Sequence, residues 1–150
     1  MSDHATSPLA EISLAGDDQV IPFHVAPLDV RGRSVQLGPM LDSILSRHDY
    51  PPAVSMLLGE MIVLTVLLGT SLKFDGNFII QTQSDGPVSL AVIDFSTPGN
   101  VRAYARFDEA RIQAASNDNP VRSRDLLGDG VLAMTIDQEA HMQRYQGIVS

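Results

Sequence analysis

Val101, Ala103, Ala105 and Phe107 alternate with Arg102, Tyr104 and Arg106. This is the period-two pattern of a strand with one face on a core and an arginine-bearing face turned to water or a carboxylate. Two denser runs precede it: Phe78–Thr82 and Val88–Phe95 carry apolar residues on both faces, and each follows an Asp-Gly pair, Asp75-Gly76 and Asp85-Gly86. Asp-Gly supplies the positive-φ positions of a tight reversal. Pro87 has no N–H to give a ladder and is expected just outside the second strand. The stretch Leu72–Phe95 therefore predicts an antiparallel strand pair at the centre of a sheet. Val131–Asp137 and Arg144–Val149 read as a second pair, introduced by the turn Gly128-Asp129-Gly130 and echoing the first. Nearer the N-terminus, Phe23–Leu37 alternates only in places, and Pro27 and Gly32 restrict it to an edge or bulged strand.

Helical spacing appears at Met40–Arg47, where Met40, Leu41, Ile44 and Leu45 share a face. Pro39 stands at its start, and His48-Asp49-Tyr50-Pro51-Pro52 ends it, because a double proline cannot continue a helix. Ala53–Thr70 (AVSMLLGEMIVLTVLLGT) is apolar nearly throughout. Its length approaches a membrane span. Glu60 near the middle, with no flanking Lys/Arg cluster and no aromatic belt, favours a buried core helix instead. Burying its eleven large apolar side chains is worth on the order of 20 kcal/mol before chain entropy is subtracted. Glu60 is then expected on an exposed flank or paired with an arginine, ahead of any catalytic use. Beyond Phe107 the chain turns polar, with weak helical character at Glu109–Ala115 and a loop at Ser116–Pro120.

These elements predict an α+β fold: a mostly antiparallel sheet of about five or six strands packed against a long apolar helix and a shorter one. Residues 1–21 are expected to be a flexible N-terminal tail and 22–150 a single core domain. The chain stops at Ser150 directly after a run with strand character. An unprotected apolar edge there would pair with another chain, as a homodimer or by strand exchange, so the domain is expected to be truncated relative to the natural protein.

Composition narrows the chemistry. The 150 residues are 44% hydrophobic with mean hydropathy +0.06, as in a globular domain. Eighteen acidic residues against ten basic ones, with Lys73 the single lysine, argue against a nucleic-acid footprint. The absence of cysteine removes disulfides, a thiolate nucleophile and any cysteine-based zinc site from these residues. The N-terminus has neither the basic nor the apolar region of a secretory signal. No nucleophile elbow, dinucleotide fingerprint or phosphate loop occurs. His4, His24, His48 and His141 are not spaced as ligands; His141 near Glu139 is at most half a metal site. His48-Asp49 is better explained by helix termination than as an acid–base pair. Asn117-Asp118-Asn119 lacks the glycine and distal glutamate of a calcium loop. A small hydrolase or isomerase using carboxylates remains as an alternative. It would need Glu60, Asp75, Asp85 or Asp129 to converge in pairs with opposed pKa shifts. A membrane-associated fragment anchored by residues 53–70 is another.

One set of motifs goes further. His48-Asp49-Tyr50-Pro51 after a short helix, Leu72-Lys73-Phe74-Asp75-Gly76 after a long one, and Gln83–Pro87 followed by Leu90-Ala91-Val92-Ile93 resemble the heat-shock protein 33 family. Arg102 with Ala105-Arg106, Leu127-Gly128 with Gly130, and Arg144-Tyr145-Gln146-Gly147-Ile148-Val149 continue the likeness in order. The resemblance covers about Phe23 to the C-terminus. It implies the core of a bacterial, cytoplasmic, ATP-independent holdase, not an enzyme, whose partners are unfolded or oxidatively damaged client proteins, with no nucleic acid and no membrane. It also implies a C-terminal module whose four cysteines hold zinc when reduced and form disulfides when oxidised. That module is absent from these residues, so no cofactor is expected in this chain. A holdase needs apolar surface for unfolded chains and net charge for solubility. The two-sided runs predict such a surface on one sheet face, at Ile79, Ala91 and Ile93, or at Leu90 and Val92 if the pleat runs the other way. A linker or missing segment is expected to cover it.

Overall fold

The computed structural model describes residues 17–73, 75–117 and 120–150. The expected tail therefore lies outside the described residues as far as Gly16; its last three positions, Gln19–Ile21, already belong to a strand. His4 and part of the Asn117-Asp118-Asn119 segment are likewise outside them.

Among the described residues seven strands and four α-helices follow in the order β1 (Gln19–Val25), β2 (Val30–Gln36), α1 (Pro39–Leu45), α2 (Pro52–Gly69), β3 (Gly76–Ser84), β4 (Val88–Ser96), β5 (Asn100–Phe107), α3 (Glu109–Ser116), α4 (Ser123–Leu127), β6 (Gly130–Gln138) and β7 (Gln143–Val149). β3 is the centre of a five-stranded antiparallel sheet with strand order β5-β4-β3-β6-β7, and β1 and β2 form a separate two-stranded sheet. The α+β expectation holds, with the long apolar helix in the place foreseen for it. Phe23–Leu37 differs: one interrupted strand is in fact a hairpin. Pro27 sits in a 3-10 turn and Asp29 closes it in the left-handed region at φ 48°, a conformation that aspartate tolerates better than most residues. Gly32 lies under the ring of Phe23, leaving no room for a Cβ.

Each of the four described helices buries apolar residues on one face of the large sheet, while Met56, Leu64 and Leu68 of α2 stay exposed. Val54, Leu57, Leu58, Met61, Ile62 and Val66 of α2 meet Phe78 and Ile80 of β3, Ala91, Ile93 and Phe95 of β4, and Ala105 of β5 in one core. Ile44, Ile112 and Leu126 join it from α1, α3 and α4. α4 has no counterpart among the expected elements: Leu126 and Leu127, read as the approach to a turn, close a short helix in which Asp125 accepts from the Arg122 N–H. α1 begins at Pro39, and the Asp18 carboxylate accepts from the Gly38 and Met40 N–H groups that the helix leaves free. Arg33 of β2 donates to Thr70 Oγ1 at 3.2 Å, tying the hairpin to the end of α2. Within the described residues α2 is the one helix long and apolar enough to cross a membrane. Here its centre is the middle of the core.

The glycines of the two Asp-Gly pairs are required for a different reason from the one expected. Neither Gly76 nor Gly86 has positive φ; among the described glycines that conformation belongs to Gly128, at 60°. A Cβ on Gly76 would collide with the Asp137 carbonyl across the β3–β6 ladder, and one on Gly86 with the Leu126 carbonyl. Close approach of two backbones selects glycine here.

Candidate functional site

Strand order decides what lies on the face away from the helices. The register places Tyr104, Val92, Gln81, Ala133 and Ile148 in one row across all five strands. Beside it, Arg106, Leu90, Gln83 and Val131 form a second row, and Arg102, Asp94, Ile79, Thr135 and Gln146 a third. Ile79, Leu90 and Val92 are half-buried by their neighbours on the sheet and take no part in the core cluster. Tyr104, Val131 and Ile148 stay 45%, 41% and 62% exposed. Among the described residues no helix buries a side chain on this face.

Gln81 and Gln83 stand among the apolar residues of this face, and ion pairs and hydrogen bonds lie toward its rim. Arg102 pairs with Asp94 directly across β4–β5 at 2.6 Å, and Arg144 with Asp137 across β6–β7 at 2.9 Å. Arg106 Nε donates to Ser89 Oγ at 3.1 Å, and Gln146 Nε2 to Thr135 Oγ1 at 3.3 Å. The arginine face foreseen for β5 thus faces water and one carboxylate. Non-directional apolar contacts interspersed with amide groups, inside a charged rim, can hold an extended chain without reading its side chains.

The pleat regroups the residues proposed from sequence. Ile79 shares its face with Leu90 and Val92. Ala91 and Ile93 point the other way and are fully buried in the core, so they belong to packing and not to a surface. The alternation carries the phase of β5, while the two-sided runs of β3 and β4 carry none that separates core from surface. The pairing that sets Ala133, Val131 and Ile148 on the same face as Val92 is not legible locally, because nothing local says that β6 lies against β3.

Of the carboxylate residues of the catalytic alternative, Asp85 and Asp129 come together, through backbone hydrogen bonds at a turn junction. Asp75 and Asp85 flank the nine residues of β3, about 30 Å apart at strand rise. Asp85 Oδ1 accepts from the Asp129 N–H at 2.8 Å, while the Asp85 N–H donates to the Asp129 carbonyl at 3.0 Å, joining two turns. Arg111 of α3 reinforces that junction through the Asp85 and Gly86 carbonyls, at 2.9 and 3.2 Å. Asp85→Ala is expected to lower stability by about 1 kcal/mol, read as a shift in the urea midpoint, with Asp85→Asn retaining part of the loss. Glu60 is exposed, as anticipated, but its partner is the Ser123 hydroxyl at 2.6 Å and not an arginine. Among the described residues no three His, Cys, Asp or Glu side chains are grouped to hold a metal ion.

The wider likeness is specific. The Hsp33 protein family model matches residues 18–150. A 33 kDa chaperonin of Caulobacter vibrioides is 49% identical over 134 residues, which is 88% of this chain and 44% of the relative. A 33 kDa chaperonin of Yersinia pestis is 41% identical over 138 residues, covering 91% of this chain and 45% of that protein. The crystal structure of the 33 kDa chaperonin (heat shock protein 33 homolog) of Thermotoga maritima superimposes with a TM-score of 0.72 at 15% identity, over 89% of this chain and 46% of that one, a likeness of fold. The chain thus spans just under half the length of the curated relatives it matches. A family model that takes in both sheets and every helix between them leaves one conclusion: the chain belongs to the Hsp33 family.

Proposed function

We propose that this chain is the core of an ATP-independent holdase, and that unfolding polypeptides lie across the outer sheet face around Ile79, Leu90 and Val92. The observation that carries the reading is a face on which apolar side chains from all five strands, Tyr104, Val92, Ile79, Val131 and Ile148 among them, lie beside Gln81 and Gln83 with no helix upon them among the described residues, in a chain whose relatives are named chaperonins. Binding is non-covalent and involves no catalytic group. The formal charge of −8 keeps loaded complexes apart in solution, and the site of action is the bacterial cytoplasm. Zinc and the thiol switch implied by the family would sit in the part of the longer relatives that this chain does not span, since no cysteine is present here. β7, exposed along its whole length, is the edge through which two chains would pair.

The test is light scattering from a thermally unfolding client without nucleotide. Suppression at near-stoichiometric chain is expected; aggregation at the client's own rate would sink the holdase reading for this core. Sedimentation across a concentration series tests the pairing separately, and a profile that stays monomeric removes β7 as a dimer edge.

A further inference from the structure

The two edges of the large sheet are treated differently. Along β7 every residue is exposed. Along β5 the loop between α1 and α2 lies against the edge, and it does so with the two aromatic side chains of the His48-Asp49-Tyr50-Pro51 motif. The Tyr50 hydroxyl accepts from the Ala105 N–H at 3.2 Å, on the side of β5 that has no neighbouring strand. Its ring stands 6.0 Å from that of Phe107, which packs on the helix-side core. The His48 ring stands 5.4 Å from Tyr50 and meets Tyr104, on the opposite face, edge-on at 5.6 Å. The loop therefore grips the strand from both faces and occupies a backbone donor between them. Pro51 holds Tyr50 in extended geometry, and Pro52 starts α2, so the strap is anchored at once by the core helix.

An edge strand with free N–H groups pairs readily with another chain, and proteins that remain soluble cover or interrupt such edges. Val101 and Ala103 share the parity of Ala105 in the β4–β5 register, so their N–H groups face the same edge. A second β5 pairing along the whole strand would have to displace the rings that bracket Ala105. We propose that His48 and Tyr50 form a strap that closes the β5 edge to strand addition, leaving β7 as the edge at which this sheet takes on another chain. The proposal concerns the sheet edge and stands whether or not the outer face holds clients.

Hydrogen exchange on the whole chain tests it with two variants. Tyr50→Phe keeps the ring and removes the acceptor: the Ala105 amide should exchange at least about tenfold faster, with the β3 amides unchanged. In His48→Ala/Tyr50→Ala the strap is gone, and the Val101, Ala103 and Ala105 amides should gain protection as protein concentration rises, through pairing with β5 of a second copy. Parent-like exchange at Ala105 in the first variant, or β5 exchange independent of concentration in the second, would overturn the proposal.

Discussion

Ile79→Thr/Leu90→Thr/Val92→Thr is expected to lose most client suppression while remaining folded. Threonine keeps the β-branch of Ile79 and Val92 and introduces one at Leu90, which suits a pleated strand, and none of the three positions belongs to the core cluster. Replacing surface-facing apolar groups at half-buried sites should cost about 1–2 kcal/mol of stability in all. The loss at the surface is larger. Removing several methyl and methylene groups from a contact that buries them, at about 0.8 kcal/mol each, weakens binding by on the order of 2–3 kcal/mol, or about 30- to 150-fold. Light scattering with a titrated client reads the shift in half-suppressing concentration, and urea unfolding reads stability in the same samples. Arg144→Ala, at the rim of that face, removes an exposed ion pair and should change neither by more than about 1 kcal/mol. If the triple variant suppresses aggregation as well as its parent, clients do not use this face.

That prediction depends on a face which the sequence revealed only in part. The alternation at Val101–Phe107 states which residues of β5 look inward, and the structure agrees at Ala105 and Phe107. The apolar run Ala53–Thr70 announces a core helix because its burial outweighs Glu60. Phe78–Thr82 and Val88–Ile93 are ambiguous for a physical reason. Strands with apolar residues on both faces carry no phase that separates core from surface, so Ala91 and Ile93 were as plausible at the surface as Leu90 and Val92. The deciding information is non-local: α2 packs on the face that holds Phe78, Ile80 and Phe95, and residues of another element carry it. The hairpin β1–β2 was hidden for the opposite reason. Its reversal rests on a left-handed Asp29 after a 3-10 turn, and no Gly or Asn marks the position. α4 was hidden because five residues are too few for a helical period to show.

The same packing predicts what holds the outer face in place. Phe95→Ala should be the most destabilising single change considered, at about 3–5 kcal/mol, a large share of the roughly 5–15 kcal/mol available to a domain of this size. Phe95 is 1% exposed, and its ring fills the space under Gly69, the last residue of α2. A Cβ built on Gly69 would stand 2.5 Å from Phe95 Cδ1 and 2.7 Å from Cγ. Gly69→Ala alone must therefore push the helix end away from β4, and should cost about 1–3 kcal/mol. With Phe95 reduced to alanine, that methyl group enters a vacated volume instead of a ring, and relieves part of the cavity. The double variant should thus be more stable than the sum of the two single losses by about 1–2 kcal/mol, the sign of direct coupling between neighbours. Urea midpoints for the four proteins close the cycle. Strict additivity would mean that Gly69 and Phe95 do not set the spacing between α2 and the sheet.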